Sequence, residues 1–153
     1  MNFLKSLMRS AVVACGTLVA ILPATAADDD IYFIAKMTPD EESTPTYSPA
    51  LGTGEFWLER ATLKLSWKVT FSDLSGPPTV AGLYGPENVG GNAGLVVDLG
   101  VNGLKSPLQG SVVLSDGAFQ YLITTRVYAN IHTKKYPEGE LRGQVRRTPA
   151  PAK

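Results

Sequence analysis

Histidine and cysteine are nearly missing from this sequence: 153 residues contain one of each, His132 and Cys15. Cys15 lies in an N-terminal segment with the marks of a cleavable leader, so the expected mature chain carries no cysteine. That excludes disulfides, a thiolate nucleophile and a cysteine-held metal. A zinc or copper ion usually takes three or four ligands from His, Cys and carboxylates. A single histidine is too few for the copper-zinc sites of some secreted sandwiches. No G-x-S-x-G elbow presents a serine to His132. No Walker-type Lys-Ser/Thr follows the Gly/Asn run Glu87–Gly94, which reads as turn chemistry. No basic stripe supports nucleic-acid binding. No cofactor and no metal are expected.

Long apolar runs are also scarce. The one candidate is Ala11–Leu22, preceded by Lys5 and Arg9 and followed by Pro23-Ala24-Thr25-Ala26-Ala27. It is shorter than the ~20 residues of a spanning helix, and it matches a Sec signal peptide over 1–26, with cleavage expected after Ala26. Val12-Val13-Ala14-Cys15 resembles a lipobox, but Cys15 stands inside the apolar run rather than at its end, so lipidation is not expected. Cleavage leaves 12 basic against 14 acidic residues. The expected product is secreted or periplasmic, weakly acidic and not membrane-spanning.

What remains is dominated by short β patterns. After an acidic lead-in (27–30), Ile31–Ala35 is rich in β-branched and aromatic residues and reads as a strand. Met37–Thr53, with prolines at 39, 45 and 49, reads as a long loop. Asp28, Asp29, Asp30, Asp40, Glu41 and Glu42 offer oxygens suited to calcium but read as solvated acidic positions. Glu55–Glu59 is a second strand. In Thr62–Phe71, Leu63, Leu65, Trp67, Val69 and Phe71 alternate with polar residues, the pattern of a half-buried antiparallel strand. Trp57 and Trp67 are expected to pack in the core. Strands over Thr79–Leu83, Leu95–Leu99 and Leu108–Leu114 follow. Ser115–Thr125 fits either a capped helix or a hairpin arm beginning at the turn pair Asp116-Gly117. Residues 147–153, with Pro149 and Pro151, read as a disordered tail. About eight short strands with regular turns imply an all-β antiparallel sandwich or barrel over 31–146, Ig-like in architecture.

Most of the chemistry-bearing side chains gather on the last hairpin. Alternation places Tyr128, Asn130 and His132 on one face of its first strand, with Thr133 at the strand end. On the second, Glu140, Arg142 and Gln144 share a face opposite Leu141, Gly143 and Val145. Glu138 and Glu140 are the nearest thing to the paired carboxylates of glycoside hydrolysis, but Arg142 beside Glu140 would lower its pKa rather than prepare an acid. The cluster is better read as structural. Glu140 pairs with Arg142, Asn130, His132 and Gln144 satisfy the remainder, and Gly143 permits a bulge or close backbone approach.

The closing stretch YANIHTKKYPEGELRGQV resembles the end motif of the CHRD (chordin) domain family. That motif has an aromatic residue and Asn, then His-Thr, a Pro-Gly turn and Glu-aliphatic-Arg-Gly-Gln. Gly52-Thr53-Gly54, the long strand ending in Phe71-Ser72-Asp73-Leu74-Ser75, and the Gly-Pro and Asn-Gly loops also fit, over roughly Ile31 to Arg146. The resemblance implies an extracellular all-β domain of the bacterial secreted single-domain type, without an assigned activity. Family members commonly carry His-aliphatic-His before the Gly-Pro, where this chain has Gly82-Leu83-Tyr84. The expected role is a binding or structural module, with an extracellular or envelope protein as the class of partner. A metal-binding or hydrolytic protein centred on His132 is the alternative.

Overall fold

Strict alternation in the middle of the chain produces the strand it implies. β3 (Lys64–Ser72) buries Leu65, Trp67 and Val69 and leaves Lys64, Lys68 and Thr70 exposed. Leu63 adopts φ +55 and ends the preceding turn rather than starting the strand. The structure is a computed structural model that describes residues 30–151. The expected leader, its cleavage site and Cys15 lie outside the described residues.

The other strands are β1 (Ile31–Met37), β2 (Leu51–Glu59), β4 (Pro78–Tyr84), β5 (Leu95–Asp98), β6 (Leu108–Val113), β7 (Tyr128–Thr133), β8 (Leu141–Gln144) and β9 (Arg146–Arg147). They form two antiparallel sheets, ordered β6-β3-β2-β1-β9 and β5-β4-β7-β8. The sheets pack as a sandwich and neither closes into a barrel. Phe33, Phe56, Leu58 and Leu65 from the first sheet meet Leu83, Ile131 and Leu141 from the second, all essentially without exposure. Each such side chain contributes about 2–3 kcal/mol of hydrophobic burial. Trp67 joins this core and donates its indole N–H to the Leu99 carbonyl at 3.2 Å. Trp57 is only half-buried, its ring 5.5 Å from that of Tyr32.

Two expectations need correction, and one open choice is decided. The loop after β1 is shorter than its composition implies, because Leu51–Thr53 already pair with Ser72–Thr70 of β3. Those are ladder bonds that loop-like Gly and Thr residues accept readily. The tail is not wholly disordered: Arg146 and Arg147 pair with Ile34 and Phe33, since the free edge of β1 supplies unpaired backbone groups. The undecided stretch is a helix, α1 (Asp116–Ile123), that buries Ala118 and Leu122. Ser115 caps it by accepting from the Ala118 N–H at 3.3 Å. Ser115→Ala is expected to cost about 1 kcal/mol, a drop of roughly 3–5 °C in thermal melts.

Beyond Met37 the chain leaves the first sheet and passes over the second. Thr38 and Arg142 exchange backbone hydrogen bonds of 2.9 and 3.2 Å, so β8 is an edge strand whose residues are all buried. A strap, residues 38–50, then runs through a 3-10 turn (Pro39–Glu41) toward β2. This strap positions the polar residues of the last hairpin.

Candidate functional site on the C-terminal hairpin

The β7–β8 register pairs Tyr128 with Gln144, Ala129 with Gly143, Asn130 with Arg142 and Ile131 with Leu141. Ala129, Ile131 and Leu141 enter the core, so Tyr128, Asn130, Arg142 and Gln144 share the outer face, as alternation implies. That face is nevertheless buried, because loops cover it: Arg142 is 1% exposed and Asn130 3%.

Glu140 and Arg142 do not form the expected pair. β8 begins at Leu141, and Gly139 at φ +136 turns the chain just before it, so the alternation does not reach back to Glu140. Its carboxylate accepts four hydrogen bonds instead. Ser48 Oγ and the Ser75 N–H donate to Oε1 at 2.6 and 2.7 Å. Ser75 Oγ and Thr133 Oγ1 donate to Oε2 at 2.7 and 2.5 Å. The Glu140 carbonyl also accepts from Thr46 Oγ1 at 3.2 Å. One carboxylate thereby joins the strap, the β3–β4 loop and the end of β7. Burial works to raise its pKa, but the hydroxyl and amide donors outweigh it and hold the carboxyl below its ordinary range.

Arg142 meets neutral groups. Its guanidinium donates to Asn92 Oδ1 at 3.1 Å and to the Gly91 carbonyl at 2.6 Å, and lies 3.5 Å from the centre of the Tyr128 ring. This cation–π contact and the loop carbonyl hold the Glu87–Gly94 loop against the sheet. The Tyr128 hydroxyl accepts from the Ala93 N–H at 3.0 Å, and Gln144 Nε2 donates to the Thr125 carbonyl at 2.7 Å.

His132 sits apart from both groups. Its Nδ1 lies 2.8 Å from the Pro137 carbonyl, which can only accept, so Nδ1 carries the proton. Its ring stacks on Tyr84 at 5.5 Å, and Tyr84 stacks on Tyr128 at 5.6 Å. Gly143 has the close approach its type permits: a Cβ there would lie 2.2 Å from the Lys36 carbonyl oxygen.

Glu42, Ser48, Ser75, Tyr84 and Asn92 are the participants that hairpin periodicity could not supply. Glu42 overturns the solvated-acid expectation for its position, being 7% exposed with Asn130 Nδ2 donating to its Oε2 at 3.2 Å. Burial pushes its pKa up to about 7, against the lowering effects of Asn130 and Arg142. Among the described residues, no group of three or more His, Cys, Asp or Glu is arranged to hold a metal. No helix there is long and apolar enough to cross a membrane.

No curated protein and no solved structure matches the chain. The family model described as CHRD domain matches residues 33–145, from the middle of β1 to the residue after β8. The match spans both sheets and the whole hairpin, and the chain therefore belongs to the CHRD domain family.

Proposed function

We propose that this CHRD-domain chain is exported through its N-terminal leader and works as a secreted or periplasmic binding or structural module. The observation that supports a scaffold role for the hairpin is the saturation of Glu140: each carboxylate oxygen already accepts two hydrogen bonds. A carboxylate in that state has no free lone pair for proton transfer to a substrate, whereas it is well suited to fixing loops. Recognition then falls to the surface beside the strap. Tyr47 is fully exposed and Leu51 is 58% exposed. Leu51 lines an open cleft of about 500 Å³ with Lys36, Thr53, Thr70 and Phe71. Aromatic and aliphatic side chains presented this way suit contact with another protein.

The second reading, a metal or hydrolytic centre at His132, has one observation in its favour. With the proton on Nδ1, the Nε2 lone pair is buried and has no protein partner. Element analysis of the purified mature protein, with thermal melts across divalent metals, separates the two. The module reading expects no stoichiometric metal and a His132→Ala variant whose melting temperature does not respond to metals differently from wild type. A stoichiometric metal that is lost in His132→Ala would overturn it.

A further inference from the structure

Two of the partnerless buried polar atoms among the described residues belong to one pair of side chains, Glu42 Oε1 and Asn130 Oδ1. The same two side chains are already joined once, by Asn130 Nδ2 donating to Glu42 Oε2 at 3.2 Å. Both orphaned atoms are acceptors when Glu42 is ionised, so neither can satisfy the other. One proton changes that. A carboxylic acid and a primary amide form a reciprocal ring, in which the amide N–H donates to one carboxyl oxygen and the acid O–H donates to the amide oxygen.

The surroundings favour the neutral form. Gly139 lies against the pair, with a Cβ there falling 2.6 Å from both Asn130 Nδ2 and Glu42 Oε1, and its own N–H is spent on the Tyr136 carbonyl. The groups acting on Glu42 are Tyr84 from β4, Asn130 from β7 and Arg142 from β8, with Gly139 packed against it. Asp40 and Glu41 precede it on its own turn. Arg142 is the cation of this set, and its hydrogen bonds are directed to Asn92 and Gly91 rather than to Glu42. An ionised Glu42 therefore has one amide donor and a buried bare oxygen, which is costly.

Glu42 is also placed to control something. The strap is pinned at its start by the Thr38–Arg142 backbone bonds and near its end by Thr46 and Ser48 on Glu140. Between them the Glu42–Asn130 contact ties it to β7. We propose that Glu42 and Asn130 form a protonated acid–amide latch, which holds the middle of the strap on β7 and releases it when Glu42 loses its proton. The end pins do not titrate with it, because Glu140 stays ionised through the neutral range. The latch makes the cover over the hairpin's outer face sensitive to ambient acidity.

Amide hydrogen exchange of the full mature chain tests this, read at Glu41 and Glu42 from pH 5 to 8 and corrected for intrinsic rates. With the latch carboxyl at about 7 closed and 4.5 open, the opening equilibrium rises roughly 70-fold across that range and levels off above it. Glu42→Gln keeps the amide-acceptor geometry without a titrating proton and loses the pH dependence at both positions. Carbon NMR of the Glu42 carboxyl gives the second measurement, with a midpoint near 7 expected. A Glu42 midpoint in the ordinary carboxylate range, or an equal pH response in wild type and Glu42→Gln, would overturn the latch.

Discussion

Glu140→Ala is expected to destabilise the fold by about 3–5 kcal/mol, the cost of stranding groups built around one buried carboxylate. The variant leaves Ser48 Oγ, Ser75 Oγ, the Ser75 N–H and Thr133 Oγ1 without their acceptor. These donors come from three segments, so the loss loosens the strap, the β3–β4 loop and the end of β7 together. Urea unfolding measures it directly, and a loss below 1 kcal/mol would show that Glu140 does not hold these segments together. Because Arg142 binds a separate set of partners, Glu140→Ala and Arg142→Ala should be additive within a few tenths of a kcal/mol. A large coupling energy would mean that the two residues act as one unit.

The pH dependence of the Glu140 contribution has a definite sign. The folded pKa of Glu140 lies below its unfolded value. Its contribution is present above the unfolded carboxylate range and is lost as pH falls through the folded pKa. Glu42 runs the other way, with a folded pKa of about 7 against an ordinary 4.5. Its stabilisation is full below 4.5 and declines as pH rises to about 7. The two carboxylates therefore confine maximal stability to the mildly acidic range. Substituting either one should remove only its own limb of the stability–pH curve.

Gly143→Ala is the second large effect, expected to cost about 3 kcal/mol or more. The new Cβ would meet the Lys36 carbonyl oxygen at 2.2 Å and the carbonyl carbon at 2.7 Å. These are backbone atoms of β1, which is held on its other side by the full β1–β2 ladder from Ile31 to Met37. A side chain could move aside, but this strand cannot without breaking that ladder, so the cost exceeds ordinary overpacking. Thermal melting checks it. The comparison is Gly76→Ala, where the Cβ meets nothing within 4 Å and a small change is expected. Equal melting temperatures for the two variants would show that β1 and β8 are not in close contact.

Some of this was written in local pattern and some was not. Period-two alternation in β3 and β7 fixes which side chains enter the core, because a strand turns successive residues to opposite faces whatever surrounds it. It therefore identified Leu65, Trp67 and Val69, and the shared outer face of Tyr128, Asn130 and Arg142. The requirement for glycine at 143 was also legible, since that residue inside a strand signals a close neighbour. Alternation failed at Glu140 because the positive-φ turn at Gly139 interrupts it one residue before β8. The two-way reading of Ser115–Thr125 needed the packing of Leu122 to decide it.

By itself, then, the sequence determined the all-β class, the alternating core and the hairpin that marks the family. Those follow from near-neighbour stereochemistry and from residue types. Only the tertiary structure decided what the polar residues of that hairpin touch. Ser48 and Ser75 reach Glu140 across 92 and 65 residues, and Glu42 reaches Asn130 across 88. No periodicity carries information over such distances. A buried carboxylate takes whichever donors the folded chain brings to it, and for Glu140 all but Thr133 came from loops far away in sequence.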